Sequence, residues 1–166
     1  MRRSMIGLAL LSVMLSAGPI APAATAATEK RAMPYYGSIG ASVARMRTGP
    51  ARTYPASWTY RRADLPVKIV AAFKEWRKVQ DPDGTEGWML AVLLRNTRTA
   101  IVRRTDPLPM RSAPTENAKT LWRAAPGVVG RISECNGGWC RLDVKGQAGF
   151  VPVGAIWGVE PGEVVP

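Results

Sequence analysis

Histidine is absent from this chain, and that removes the usual general base, the commonest metal ligand and every Ser-His or Cys-His nucleophile pair. What remains for chemistry is carboxylates, arginines, aromatic rings and two cysteines. Asp64, Glu75, Asp81, Asp83 and Glu86 all fall in or beside turn-forming stretches, where side chains are solvated, whereas acid–base catalysis needs a carboxylate pair positioned in a cleft. The run Asp81-Pro82-Asp83-Gly84-Thr85-Glu86 superficially suggests calcium. It lacks the fixed series of oxygen ligands such a loop needs, and proline before Asp83 with glycine after it reads as a plain turn. Two cysteines alone cannot close a zinc site. No catalytic residue, metal site or cofactor is expected.

Cys135 and Cys140 flank Asn136-Gly137-Gly138-Trp139. Gly137-Gly138 suits a two-residue hairpin, because glycine accepts the positive φ that such turns demand. Asn136 then faces Trp139, and one step further out Cys135 faces Cys140 in a non-hydrogen-bonded pair. Cα atoms there approach to about 4.5 Å, close enough for a disulfide. A register slip of one residue would instead leave two free thiols.

The elements that must position these residues come as a duplicated unit. Met46-Arg47 recurs as Met110-Arg111 and Trp58 as Trp122, both at an offset of 64. Ile69 recurs as Ile132 and Trp76 as Trp139, at 63, and Gly87-Trp88 recurs as Gly149-Phe150, at 62. A slowly drifting offset means one unit copied once, with two single-residue gaps. Within each copy, short β-branched or alternating runs are broken by turn residues: Leu65 to Ala71, Trp76 to Val79 and Gly87 to Leu90, then Val128 to Cys135, Trp139 to Val144 and Gly149 to Val151. The pattern is all-β, in two small barrels in tandem. Ala91-Val92-Leu93-Leu94 reads as a tight helical turn. The spans expected are residues 39–95 for repeat one, 96–106 for a connector whose Thr99 to Val102 could add a strand, 107–159 for repeat two, and 160–166 for a loose tail.

Aromatic residues on a small barrel line a groove for a peptide or sugar, or they fill the core. Trp76 and Trp139 occur in both copies, which favours the core or its edge. Tyr54 and Tyr60 have no aromatic counterpart in repeat two and are the better candidates for an exposed face. Arg47 and Arg111 sit at the mouth of the first long loop. Either guanidinium can fork onto a ligand carboxylate or bond loop carbonyls and fix the turn, and its duplication favours the second role. Arg47, Tyr54, Tyr60 and Trp76 are therefore the candidate ligand-binding set.

The N-terminal stretch reads as a targeting segment. A short basic start at Arg2-Arg3, an apolar run from Met5 to Ala17 and the small residues Ala24-Thr25-Ala26 form a cleavable signal peptide over residues 1–26, followed by a linker over 27–38. The run is too short to span a bilayer comfortably, so export to the periplasm or beyond is expected, without stable membrane insertion. Loss of Arg2 and Arg3 lowers the formal charge by two, from +11 to +9. Such a charge either raises encounter rates with anionic envelope polymers or lipid headgroups or simply keeps an exported protein soluble. Its basic residues are scattered, with no stripe or motif for nucleic acid.

Met46-Arg47-Thr48-Gly49-Pro50, Trp76 with Val79 three residues on, and Gly87-Trp88 before an apolar turn follow one another in an order that repeats as Met110-Arg111-Ser112-Ala113-Pro114, Trp139-Cys140-Arg141-Leu142 and Gly149-Phe150. Together they resemble the bacterial Src homology 3 (SH3)-like domain, in an exported two-copy form, from about Ile39 to Val159. The resemblance implies a five- to six-stranded barrel per unit, no cofactor and no intrinsic catalysis. It also implies recognition of peptidoglycan or its stem peptides, or of an envelope protein or peptide as a scaffold. A carboxylate-dependent wall hydrolase is the remaining alternative. Repeat two departs from the pattern in having Ala113 where repeat one has Gly49, which sets the two copies apart as ligand sites.

Overall fold

The computed structural model describes residues 32–166, which belong to one compact unit. The signal peptide expected before it and residues 27–31 of the expected linker lie outside the described residues. Fourteen strands make two seven-stranded antiparallel sheets. The first contains β1 (Tyr35–Ile39), β2 (Ala44–Arg47), β3 (Ala56–Tyr60), β4 (Pro66–Phe73), β5 (Trp76–Gln80), β6 (Glu86–Leu90) and β7 (Leu94–Arg95). The second contains β8 (Thr99–Val102), β9 (Leu108–Arg111), β10 (Thr120–Ala124), β11 (Val129–Asn136), β12 (Trp139–Val144), β13 (Gln147–Pro152) and β14 (Ile156–Trp157). Their orders, β3-β2-β6-β5-β4-β1-β7 and β10-β9-β13-β12-β11-β8-β14, are the same path taken twice. Among the described residues no helix is long and apolar enough to cross a membrane.

Each sheet curls around one core. Ile39, Met46, Tyr60, Val67, Ile69, Val79 and Met89 come from strands at both ends of the first sheet yet form a single apolar cluster. Leu108, Met110, Ala124, Ile132, Leu142 and Val151 do the same in the second. A flat sheet would keep such strands apart, so the architecture is barrel-like. The duplicated residues occupy equivalent ladder positions. Met46 faces Trp58 and Met110 faces Trp122; Arg47 faces Trp88 and Arg111 faces Phe150. Trp76 and Trp139 each open the strand after a two-residue hairpin, facing Phe73 and Asn136. The recurring glycine has a local cause. A Cβ on Gly87 would fall 2.3 Å from the Met46 side chain, and one on Gly149 would fall 2.8 Å from Met110 Cβ. Only a residue without Cβ lets β6 and β13 cross so close to the central methionine.

Two stretches read as connecting segments are strands. Tyr35–Ile39, mostly inside the expected linker, is β1, and Thr99–Val102 of the connector is β8. Each pairs with the long strand of its own sheet, Tyr35 opposite Ile69 and Val129 opposite Ile101. The strand that Thr99 to Val102 could add is thus present, whereas periodicity did not reveal β1, because it is short, nearly fully buried and lacks alternation. The apolar segment after each β6-type strand is a 3₁₀ turn, Ala91–Leu93 and Val153–Ala155.

The tail differs from the expectation of a loose end. Val165 pairs with Cys135 through two backbone hydrogen bonds, at 2.9 and 3.1 Å. Glu163 accepts both terminal nitrogens of Arg98, and Glu160 pairs with Lys68 of repeat one. The tail thus closes the outer edge of β11 at the cysteine. On the other side of that strand Cys135 and Cys140 are joined by a disulfide, with Cα atoms 4.1 Å apart across the Gly137-Gly138 hairpin. Both turn glycines have positive φ, 56° and 80°. The cysteines are fully buried in the second core.

The two repeats also touch. Tyr36 of β1 meets Trp157 of β14 edge-on with ring centroids 5.1 Å apart. Arg62 donates to the Gly127 carbonyl and Arg103 pairs with Asp83. Burial and the nearby Glu160 push the Tyr36 hydroxyl well above the usual tyrosine range, so it stays neutral and a donor at any ordinary pH.

Two outcomes follow from this framework. Intact-mass analysis after alkylation without reductant should find no modified cysteine, and reduction should lower unfolding free energy by about 2 kcal/mol, since the closed loop is small; two alkylated cysteines in the unreduced sample would contradict the pairing. Arg98 holds the Glu163 carboxyl below its ordinary range, chiefly by hydrogen bonding. A lowered folded-state pKa stabilises the fold above the unfolded carboxylate pKa, about 4.3, and that contribution is lost as pH falls through the folded value. Glu163→Gln should therefore lower Tm at pH 7, by the equivalent of about 1 kcal/mol, and the gap to the parent should narrow at an acid pH below about 4.3. Equal gaps at both pH values would refute the ionic contribution.

Candidate functional site

The long loop between β2 and β3 is built by one arginine. Arg47 leaves the end of β2 and donates from Nη1 to the Tyr54 carbonyl at 2.6 Å, while Thr48 N–H donates to the Pro55 carbonyl. Repeat two repeats both bonds: Arg111 to the Ala118 carbonyl at 2.9 Å, and Ser112 N–H to the Lys119 carbonyl. The two loops have the same length and the same anchors, so their residues correspond one to one at an offset of 64.

Beneath the loop of repeat one lies an open depression of about 270 Å³ lined by Val43, Arg45, Arg47, Arg52, Trp76, Leu90 and Leu93. β2 supplies Arg45 and Arg47, the loop supplies Arg52, and β5, β6 and the 3₁₀ turn supply the apolar floor. Among the described residues no carboxylate pairs with any of the three arginines. Three guanidinium groups over an apolar, part-aromatic floor can hold an anion whose attached chain is apolar. No His, Cys, Asp or Glu lines the depression, so it offers neither a metal cage nor an acid–base pair. Elsewhere among the described residues no cluster of three or more such side chains could hold a metal.

Of the four candidates, the depression brings together Arg47 and Trp76. Trp76 is 3% exposed and contributes an edge of the core as floor rather than a free ring. Tyr54 is 46% exposed but lies on the loop outside the depression, its ring stacked against Gly49. A Cβ on Gly49 would sit 2.6 Å from that ring. Repeat two has Ala118 in place of Tyr54, which frees the space that Ala113 takes up; the two substitutions explain each other.

Tyr60 is a correction. It was expected on an exposed face, but it is 7% exposed and belongs to the first core. Its hydroxyl donates to Asp81 Oδ2 at 2.8 Å, and burial and this acceptor push its ionisation far above the usual tyrosine range. Asp81 Oδ1 accepts the backbone N–H of Asp83 and Thr85. The carboxylate is thus fully engaged in folding its own turn, not in holding calcium. The sequence did carry a signal for this. At the matching positions repeat two has Ala124 and Val144, so the tyrosine and the aspartate are replaced together by apolar residues.

Sequence reasoning missed Val43, Arg45, Arg52, Leu90 and Leu93. Arg45 and Arg52 differ between the copies, becoming Pro109 and Glu116, and a search for repeated residues passes over them. The matching depression of repeat two is smaller, about 180 Å³, and is lined by Pro107, Pro109, Arg111, Glu116 and Pro152, with Arg104, Asp106 and Arg123 at its rim.

A small barrel with a long arginine-pinned loop over a shallow depression is present twice in the chain. The chain belongs to the bacterial SH3 domain family, matching it over residues 40–96 and again over 104–158. No curated protein matches. Among solved structures the chain is similar to NlpC1 from Trichomonas vaginalis, at 13% identity and a TM-score of 0.35, over 78% of this chain and 48% of that one. NlpC2 from the same organism gives 14% identity and a TM-score of 0.35, over 74% and 47%. An NlpC/P60 family protein from Bacillus cereus ATCC 10987 gives 14% and 0.34, over 73% and 55%. The chain thus spans about half the length of these proteins.

Tyr60→Phe should leave one oxygen of the buried Asp81 without its partner and lower unfolding free energy by about 1–3 kcal/mol. Tyr54→Ser, on the surface, should change it by less than about 0.5 kcal/mol. Urea denaturation of the two variants checks this, and equal losses would place Tyr54 in the core.

Proposed function

We propose that this protein is a non-catalytic binding module of the bacterial cell envelope that recognises peptidoglycan, through its stem peptides, with the depression of repeat one. The observation that carries the reading is the convergence of Arg45, Arg47 and Arg52 over the floor of Trp76, Leu90 and Leu93. A stem peptide offers small apolar side chains and free carboxylates, the two chemistries this surface complements. Membership of the bacterial SH3 family supports the assignment. The disulfide supports a place outside the cytoplasm, where such bonds persist. The strongly basic composition supports an anionic target.

A second reading is favoured by one feature. β3 is an edge strand whose residues Ala56 to Thr59 are all exposed, with Trp58 58% exposed. Such an edge suits a strand from another envelope protein, for which this chain would act as a scaffold.

Co-sedimentation with purified sacculi separates the two. The purified chain should sediment with sacculi at moderate salt, and Arg45→Ser with Arg52→Ser should weaken that binding at least tenfold without changing Tm much. Binding that is unaffected by the pair but lost on Trp58→Ser would favour the second reading. Release of soluble muropeptides would overturn the non-catalytic assignment.

A further inference from the structure

We propose that the depression of repeat two is occupied by the chain's own carboxylate, so that the tandem binds one ligand carboxylate, at repeat one alone. The inference rests on the reading of the repeat-one depression as the ligand site, and it names the group recognised there.

Because the two loops share length, anchors and register, Arg52 and Glu116 stand at the same place on the same frame. In repeat two Glu116 turns back onto Arg111, with Oε2 3.5 Å from Nη2, while Nη1 of Arg111 holds the loop carbonyl. In repeat one Nη1 of Arg47 holds the loop carbonyl in the same way, and among the described residues no carboxylate meets Arg47. Glu116 therefore marks where an external carboxylate would lie on Arg47, and Arg52 replaces the internal acid with a further cation.

The rest of the two surfaces agrees. Repeat one presents three cations and no acid. Repeat two presents Arg104, Arg111 and Arg123, but Asp106 lies 3.1 Å from Arg104 and Glu116 sits on Arg111. Pro109 stands where Arg45 would be, so a second cation is missing from the strand as well. An anion entering repeat two must displace an acid that is always at hand. One entering repeat one meets no competitor. The internal occupant is a carboxylate held by the one terminal nitrogen of Arg111 that the loop leaves free, so the group it stands in for on Arg47 is a carboxylate.

Both residues are exposed, so exchanging them does not threaten the fold. The test titrates acetyl-dialanine, with a free C-terminal carboxylate or as its amide, into isotope-labelled chain followed by amide chemical shifts. The parent should take one equivalent of the acid, with shifts confined to residues 43–52, 76 and 90–93, and should bind the amide at least tenfold more weakly. Arg52→Glu should weaken binding at least tenfold, and Glu116→Arg should add a second equivalent with shifts around Arg111. Two equivalents on the parent, or one on Glu116→Arg, would overturn the self-occupied site. Equal binding of acid and amide would overturn the carboxylate. Sacculus binding measured in parallel keeps the readings apart: if it holds while Glu116→Arg gains nothing, only this inference falls, and if it fails, the envelope reading falls by its own test.

Discussion

A guanidinium bonded to a carbonyl seven residues ahead holds the long loop of each barrel. Without the Arg47 and Arg111 bonds, each eight-residue loop would lose the contact that folds it back over its strand. Closing such a loop costs conformational entropy, and a charged donor on a backbone acceptor is among the stronger single contacts that can offset it. The same bond commits one terminal nitrogen of the arginine to architecture and leaves the other facing the depression. One residue thus fixes the loop and sets the charge below it. That is why it can be duplicated without both copies having to bind the same thing.

Much of the fold was legible because duplication marks structural positions. The methionine, arginine, tryptophan and glycine that recur all sit at equivalent ladder sites, and the recurring glycine is demanded by close approach to the central methionine. Strand β1 was illegible for a physical reason: a short strand that is almost wholly buried has no alternation to read. The tail was misjudged because its partners, Cys135, Arg98 and Lys68, are far away in sequence, and a short run broken by proline and glycine carries no local sign of them.

The candidate site was half legible, for the opposite reason. Arg47 and Trp76 recur and were found. Arg45 and Arg52 were not, since they are where the copies diverge. Tyr60 was misplaced by treating loss of an aromatic in one copy as a sign of exposure. In the structure, the loss is half of a coupled exchange, in which a hydroxyl–carboxylate pair inside one barrel becomes two apolar side chains inside the other. A buried polar pair is changed one member at a time only at the cost of an unsatisfied group, so its members change together. Tyr54 with Gly49, against Ala118 with Ala113, is the same kind of coupled exchange on the loop.

These coupled differences separate positions that diverge for packing from positions that diverge for charge. Tyr60 and Asp81, and Tyr54 and Gly49, each have a partner whose change compensates for theirs. Arg45, Arg52 and Glu116 are exposed and Pro109 is half-buried, and the arginine that Glu116 meets is the one both copies keep. Packing therefore leaves those positions free, and what distinguishes the copies there is the potential each depression presents to an approaching anion. Repeat two keeps the frame, adds an internal disulfide, and meets repeat one through Tyr36 and Trp157, Lys68 and Glu160, and Arg103 and Asp83. Repeat two thus keeps the recurring arginine and glycine of the frame and adds a cross-link, while Asp106 and Glu116 line its depression and no acid lines that of repeat one.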